Sequence, residues 1–168
     1  MRERSRDGLA AWLVVVGSVL ALAVAHGAEY AGLVPCPLCL LERWPYRIAF
    51  PLGLLALLAP PRGLLRRGLL ILAFLVFLGE AGLAFVHVGV EQKFWPSPLP
   101  ECQAPRLTGL SPAERLAAMP AHPAKPCDDP TYLIPGLPLS MAALNGLYAV
   151  MLAIGTGLGL RARRSRFR

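Results

Sequence analysis

The length of its uncharged apolar runs constrains this chain more than any other feature. Residues 9–28 and residues 137–160 contain no Asp, Glu, Lys or Arg. Hydrocarbon offers a peptide backbone no water, so a crossing segment must satisfy its amides internally; as helix this takes roughly 20 residues for a layer of about 30 Å. Both runs meet that length. A third run, 69–90, carries only Glu80 and His87, and a fourth, 44–60, is shorter and includes Arg47. The apolarity is continuous rather than alternating, which argues against barrel strands. With 55% hydrophobic and 16% charged residues among 168, the predicted fold class is an all-α membrane protein: one domain, a four-helix transmembrane bundle.

A net charge of +7 would fit a nucleic-acid binder until its placement is considered. Eleven of the 17 basic residues lie before span one, between spans two and three, or after span four. The remaining six, Arg43, Arg47, Lys93, Arg106, Arg115 and Lys125, share the opposite side with seven acids. The positive-inside rule then places both termini and the 61–68 loop in the cytoplasm. The basic excess reads as topology, and nucleic acid is set aside. An Arg-rich start before an apolar run has the general form of a signal peptide, but this run exceeds the usual apolar core, and an uncleaved helix is expected.

In that topology residues 91–136 form a long outer loop. With span four's opening Pro138 it holds 11 of the 17 prolines, and it is expected to be extended and mobile rather than a packed subdomain. One short helix is predicted inside it. Ser111 supplies an N-cap, Pro112 the first helical position and Glu114 a capping box, ahead of Leu116, Ala117, Ala118 and Met119.

The four cysteines share this outer side. Cys36 and Cys39 form a C-x-x-C at the head of span two, and Cys102 and Cys127 lie in the loop. Two pairs suggest two disulfides, although four cysteines permit three pairings. Closing a loop of the length between Cys102 and Cys127 stabilises by about 3 kcal/mol in the chain-entropy picture. A C-x-x-C closes almost no loop, so its value is usually redox. A zinc cluster formed by all four cysteines is the metal reading.

The order of these elements resembles the DsbB family of bacterial inner-membrane proteins. The residues carrying the resemblance are C-x-x-C followed by Glu42-Arg43, His87-Val88-Gly89-Val90-Glu91 at the end of span three, and the second cysteine pair in the loop. Pro126-Cys127-Asp128 and Leu139-Ser140-Met141-Ala142 complete it. The resemblance implies a thiol:quinone oxidoreductase with both termini cytoplasmic and its cysteines on the periplasmic face. Cys102 and Cys127 would accept electrons from a DsbA-like thiol oxidase, with Cys102 attacked first. Cys36 and Cys39 would reoxidise that pair, with Cys39 meeting ubiquinone or menaquinone and Arg43 contributing to quinone binding.

Residue chemistry bears on the same assignment. If residues 39–43 are helical, Cys39 and Arg43 stand at i and i+4 on one face, where a guanidinium stabilises a thiolate and can donate to a quinone carbonyl. His87 could donate to a quinone oxygen. Glu80, seven residues earlier on nearly the same helix face, is a costly acid at membrane depth with no assigned role. Pro45 cannot donate to the carbonyl of Leu41, so the helix is expected to kink or restart near Trp44-Pro45, which bears directly on the cysteine-to-arginine geometry.

The alternative from another class is a non-enzymatic four-helix membrane protein that binds metal or haem through cysteines and His87 or His26. A subunit whose loop disulfide is only a staple is a further one. A paralogue with a specialised client has the same chemistry.

Overall fold

The computed structural model describes residues 2–61, 63–102, 111–117, 125–133 and 136–161. Among these residues there is no strand. The elements are α1 (Arg2–Tyr30), α2 (Pro37–Leu41), α3 (Arg43–Leu58), α4 (Leu64–Glu91), a 3-10 turn (Pro100–Cys102), α5 (Pro112–Ala117) and α6 (Met141–Arg161). α1 packs on α3, α3 on α4, α4 on α6 and α6 back on α1, closing a ring of four.

Arg6–Tyr30, Leu64–Glu91 and Met141–Arg161 are long and apolar enough to cross a membrane. α3 has 16 residues, a rise of about 24 Å as helix. The predicted spans 9–28, 44–60, 69–90 and 137–160 correspond to α1, α3, α4 and α6 with shifted ends, and the shifts have local causes. α6 begins at Met141 because Ser140 caps it, its Oγ accepting from the Ala143 amide at 3.2 Å. α4 begins at Leu64, which brings Arg66 into its first turn.

Arg66 is buried. Its Nε donates to the Ala56 carbonyl at 2.7 Å, and its Nη2 donates to the carbonyls of Leu57 and Ala59 at 3.0 and 2.7 Å. A cation thereby satisfies the orphan acceptors that end α3 and opposes the negative end of its dipole. A residue counted in the sequence as a topogenic charge is also a helix cap.

The bundle core is built largely from small side chains, Ala10, Ala11, Ala49, Ala56, Ala73 and Ala153, around Phe77, Leu70 and Tyr46. Lipid provides little hydrophobic drive between helices, so close backbone approach and dispersion carry the association. Gly53 shows how tight that approach is, since a Cβ there would stand 2.8 Å from Val14 Cγ1 and 2.9 Å from Val15 Cγ2 on α1.

The outer end of α4 closes with paired reverse bonds. The Lys93 amide donates to the Val90 carbonyl at 3.0 Å, and the Phe94 amide donates to the Gly89 carbonyl at 2.9 Å. Lys93 takes the left-handed conformation (φ 61°) that glycine usually fills. The chain then folds back so that the Trp95 indole lies over Gly89, where a Cβ would collide with the ring, and Trp95 Nε1 donates to the Val86 carbonyl at 3.0 Å.

The described segments of the loop are mostly exposed and irregular, as an extended chain would be, but they are tied down at several points. Cys102 and Cys127 are buried and disulfide-bonded, with Cα atoms 5.2 Å apart. Lys125 donates to the Pro130 carbonyl and to Thr131 Oγ1, and the Met141 amide donates to the Thr131 carbonyl at 2.7 Å. Proline removes donors, yet a cross-link and a few side-chain bonds suffice to hold an extended segment down. The capping box is present at α5. The Ser111 amide and hydroxyl both donate to Glu114 Oε2 at 2.7 Å, and these bonds hold the Glu114 carboxyl below its usual range. The predicted continuation through Ala118 and Met119 lies outside the described residues.

Gly53→Leu should lower the thermal unfolding midpoint in detergent, corresponding to a loss of about 1–3 kcal/mol from overpacking. Gly68→Ala, where no atom lies within 4 Å of the added Cβ, should leave the midpoint unchanged or raise it.

Candidate functional site

Pro35 and Pro37 stiffen the approach to α2, and Pro37 occupies its first turn, where no amide donor is needed. Cys36 is the N-cap of this helix and accepts from the Cys39 amide at 3.1 Å. The helix ends after Leu41, and α3 starts anew at Arg43. The break thus falls at Glu42, just before the predicted Trp44-Pro45. Cys39 and Arg43 therefore belong to different helices, the five-residue α2 and the 16-residue α3, which meet at a buried glutamate whose own backbone stays right-handed helical.

Five of the six candidate residues converge on the C-terminal end of α4. Cys36, Cys102 and Cys127 share a buried cluster with Leu38 and Val90, and Cys39 packs against it. Cys102 and Cys127 are joined, whereas Cys36 and Cys39 are free thiols. His87 reaches this cluster from α4, with Nε2 3.4 Å from Cys36 Sγ and Nδ1 2.7 Å from Glu42 Oε1. The carboxylate can only accept, so Nδ1 carries the proton and Nε2 is the nitrogen that faces sulfur.

The Cys36 thiol is held below its ordinary range, chiefly by the hydrogen bond from the Cys39 thiol, with the Cys39 amide adding to it and burial opposing. The same bond raises Cys39, with burial and the Cys36 charge adding to the shift. In the dithiol state thiolate character therefore belongs to Cys36.

Arg43 is not part of the sulfur cluster. Arg43 and Cys39 both line an apolar cavity of about 750 Å³ walled by α1 and α6, with Glu42, Tyr46 and Asn145 also at its surface. Arg43 Nη2 pairs with Glu29 Oε1 at 2.9 Å, while its buried Nε has no partner among the described residues. His87, expected beside a quinone, is not among the residues lining this cavity and faces the thiols instead. Cys39 is the residue common to the sulfur cluster and the cavity.

Glu29, Tyr46 and Asn145 escaped sequence reasoning, and Glu42, quoted there beside Arg43, was given no role. Asn145 Nδ2 donates to Glu42 Oε2 at 3.1 Å and to Glu80 Oε1 at 2.6 Å, and its Oδ1 accepts from the Tyr46 hydroxyl at 2.7 Å. Glu80 thus has a partner, although its Oε2 has none among the described residues. The Ser140 hydroxyl donates to Glu91, tying the start of α6 to the end of α4. A lone amide in the apolar run of α6 was the available signal, because such a group must find a partner inside the bundle. His26 is bonded to the Leu22 carbonyl of its own helix and takes no part.

A family model described as "Disulfide bond formation protein DsbB" matches residues 7–158. The chain belongs to the DsbB family. Its members are membrane oxidoreductases of disulfide bond formation, and the two cysteine pairs of this DsbB-family chain are compatible with that activity. An uncharacterized protein of Rickettsia prowazekii (strain Madrid E) is 31% identical over 148 residues, covering 87% of this chain and 83% of the relative. No solved structure matches.

Asn145→Ala leaves Tyr46, Glu42 and Glu80 each short of a bond. Orphaning buried polar groups costs about 1–3 kcal/mol each, so the thermal midpoint in detergent should fall well below that of the cavity-wall control Met151→Leu.

Proposed function

We propose that this DsbB-family chain is a four-span bacterial inner-membrane thiol:quinone oxidoreductase, one domain over residues 1–168, with both termini cytoplasmic and α2 at the periplasmic edge. α3 is the fourth crossing, short but held between α1 and α4. One observation carries the reading: Cys39 sits between a buried cluster containing all four cysteines and an apolar cavity that also presents Arg43.

A quinone fits what lines that cavity. Its walls are almost wholly apolar, and the Arg43 guanidinium retains a buried donor, Nε, without a partner among the described residues. A bound ubiquinone or menaquinone supplies a two-electron, two-proton acceptor.

The chain's own residues account for the remaining steps. A reduced thioredoxin-fold thiol oxidase, DsbA-like, attacks Cys102, forming a mixed disulfide and releasing Cys127 as thiolate. Because Cys102 is only 7% exposed, the partner must lift the Pro100–Cys102 turn from α2. The partner's second thiol then takes back its sulfur, leaving the loop pair as two thiols. A loop thiolate next attacks Cys36 of an oxidised Cys36–Cys39 pair and expels Cys39 as thiolate.

Cys36 is then occupied in a mixed disulfide, so the bond and charge that had raised Cys39 are gone. The freed Cys39 and the Arg43 side chain both line the cavity. The loop disulfide re-forms when the remaining loop thiol gives up its proton and attacks its partner sulfur, expelling Cys36 as thiolate against His87 Nε2. His87 takes up that proton, Glu42 stabilises the resulting imidazolium, and closure of the Cys36–Cys39 disulfide would pass two electrons to a bound quinone. Glu42 also lines the cavity, so charge rearrangement at the sulfurs is coupled to the acceptor side through one carboxylate.

The test is anaerobic mixing of purified protein with a reduced DsbA-like substrate and a quinone, followed by quinone absorbance. Stoichiometric quinone reduction is expected, abolished by Cys36→Ser or Cys39→Ser; bound metal with no quinone-dependent thiol oxidation would overturn the reading. Arg43→Ala should raise the apparent quinone KM, and unchanged kinetics remove Arg43 from the site. His87→Ala should instead lower kcat by about 10²-fold, the scale of positioned proton transfer, with quinone KM little altered.

A further inference from the structure

The sulfur side of the site has a second capacity that electron transfer does not use. Cys36 Sγ, Cys39 Sγ and a ring nitrogen of His87 all lie within 4.8 Å of one another. Zinc binds thiolate sulfur at about 2.3 Å and imidazole nitrogen at about 2.0 Å, so a tetrahedral site separates sulfur from sulfur by about 3.8 Å and sulfur from nitrogen by about 3.6 Å. The Cys36 Sγ to His87 Nε2 separation is already 3.4 Å.

The nitrogen facing the sulfurs is the right one. Nδ1 is engaged by Glu42 at 2.7 Å, which fixes the tautomer and turns Nε2 toward the thiols. A carboxylate behind a ligating histidine is the usual outer support of a zinc site, raising the ligand's basicity and locking its ring. Cys102 and Cys127, which a four-cysteine zinc cluster would require, are joined to each other instead. The donor set is therefore Cys36, Cys39 and His87, which leaves the fourth tetrahedral position to a water or another exogenous ligand.

We infer that the reduced Cys36–Cys39 pair, together with His87, is a redox-gated site for a zinc-like divalent cation. Binding replaces two S–H protons by two metal–sulfur bonds, so one metal ion enters and two protons leave, with no change of oxidation state. Both sulfurs are then held by the metal, and the pair cannot close to a disulfide while it stays. Oxidation of the pair removes two of the three ligands and releases the ion. The site thus converts zinc-like metal into a reversible brake that acts on the reduced form alone.

The test uses full-length protein in detergent with Cys102→Ser and Cys127→Ser, so that Cys36 and Cys39 are the only thiols. Co²⁺ is added anaerobically to the reduced and to the oxidised sample. The reduced sample should show near-ultraviolet sulfur-to-cobalt absorption and the visible bands of tetrahedral cobalt at one ion per chain, displaced by Zn²⁺, with release of about two protons per ion by calorimetry in two buffers. The oxidised sample should show neither.

Glu42→Gln should weaken binding by about 10–100-fold, the cost typical of losing an outer support, and His87→Ala should weaken it further. Absence of the bands in the reduced sample, equal bands in the oxidised one, or unchanged affinity in His87→Ala would each overturn the site. The reduced and oxidised samples share one sequence, so a difference between them does not arise from the Cys102→Ser and Cys127→Ser changes. No quinone or partner protein is present, so the outcome is independent of the electron-transfer reading.

Discussion

Glu42 is the group on which the arrangement of the site depends. It stands where α2 stops and α3 begins, and its two oxygens reach different helices, one to His87 on α4 and the other to Asn145 on α6. A buried carboxylate is expensive unless its lone pairs are used. Using them here draws three helices to one point beside the C-x-x-C. Cys36 receives its histidine because Glu42 orients that histidine, and Tyr46 and Glu80 are held through the same asparagine.

The outer loop is subordinate to this frame. The reverse bonds after α4, the Trp95 ring over Gly89 and the short Pro100–Cys102 turn deliver Cys102 onto α2, where the disulfide to Cys127 joins the same buried cluster. Ser140, bonded to Glu91 and capping α6, anchors the other end. All four sulfurs are thereby gathered at one end of the bundle, and the apolar cavity begins on the far side of Cys39. Such a layout leaves a single residue, Cys39, shared by the sulfur cluster and the apolar cavity.

Much of this was legible in the chain. Continuous apolar runs announce membrane helices because hydrocarbon permits few other backbone solutions, and the Ser111 to Glu114 spacing announced a capping box that is present. Other features were read incompletely. Arg66 was counted as a topogenic charge, but it also caps the end of α3, a contact that requires knowing where α3 and α4 meet. His87 was expected at the acceptor and stands at the thiols, because helical phase places it near the cysteines without saying which side of them it faces. Proline content suggested an extended loop, and its described segments are mostly exposed, but the burial of Cys102 and Cys127 within it depends on partners far away in sequence.

By itself, then, the sequence determined the class of protein, the approximate helices and the family, since these follow from local hydropathy and short motifs. The tertiary structure alone decided that Glu42 is the junction, that Asn145 and Glu80 belong to it, and that Cys39 borders a cavity while Cys36 faces an imidazole. The reason is physical: hydropathy and helical phase are properties of neighbouring residues, whereas the pairing of buried polar groups depends on how whole helices are rotated and seated against one another.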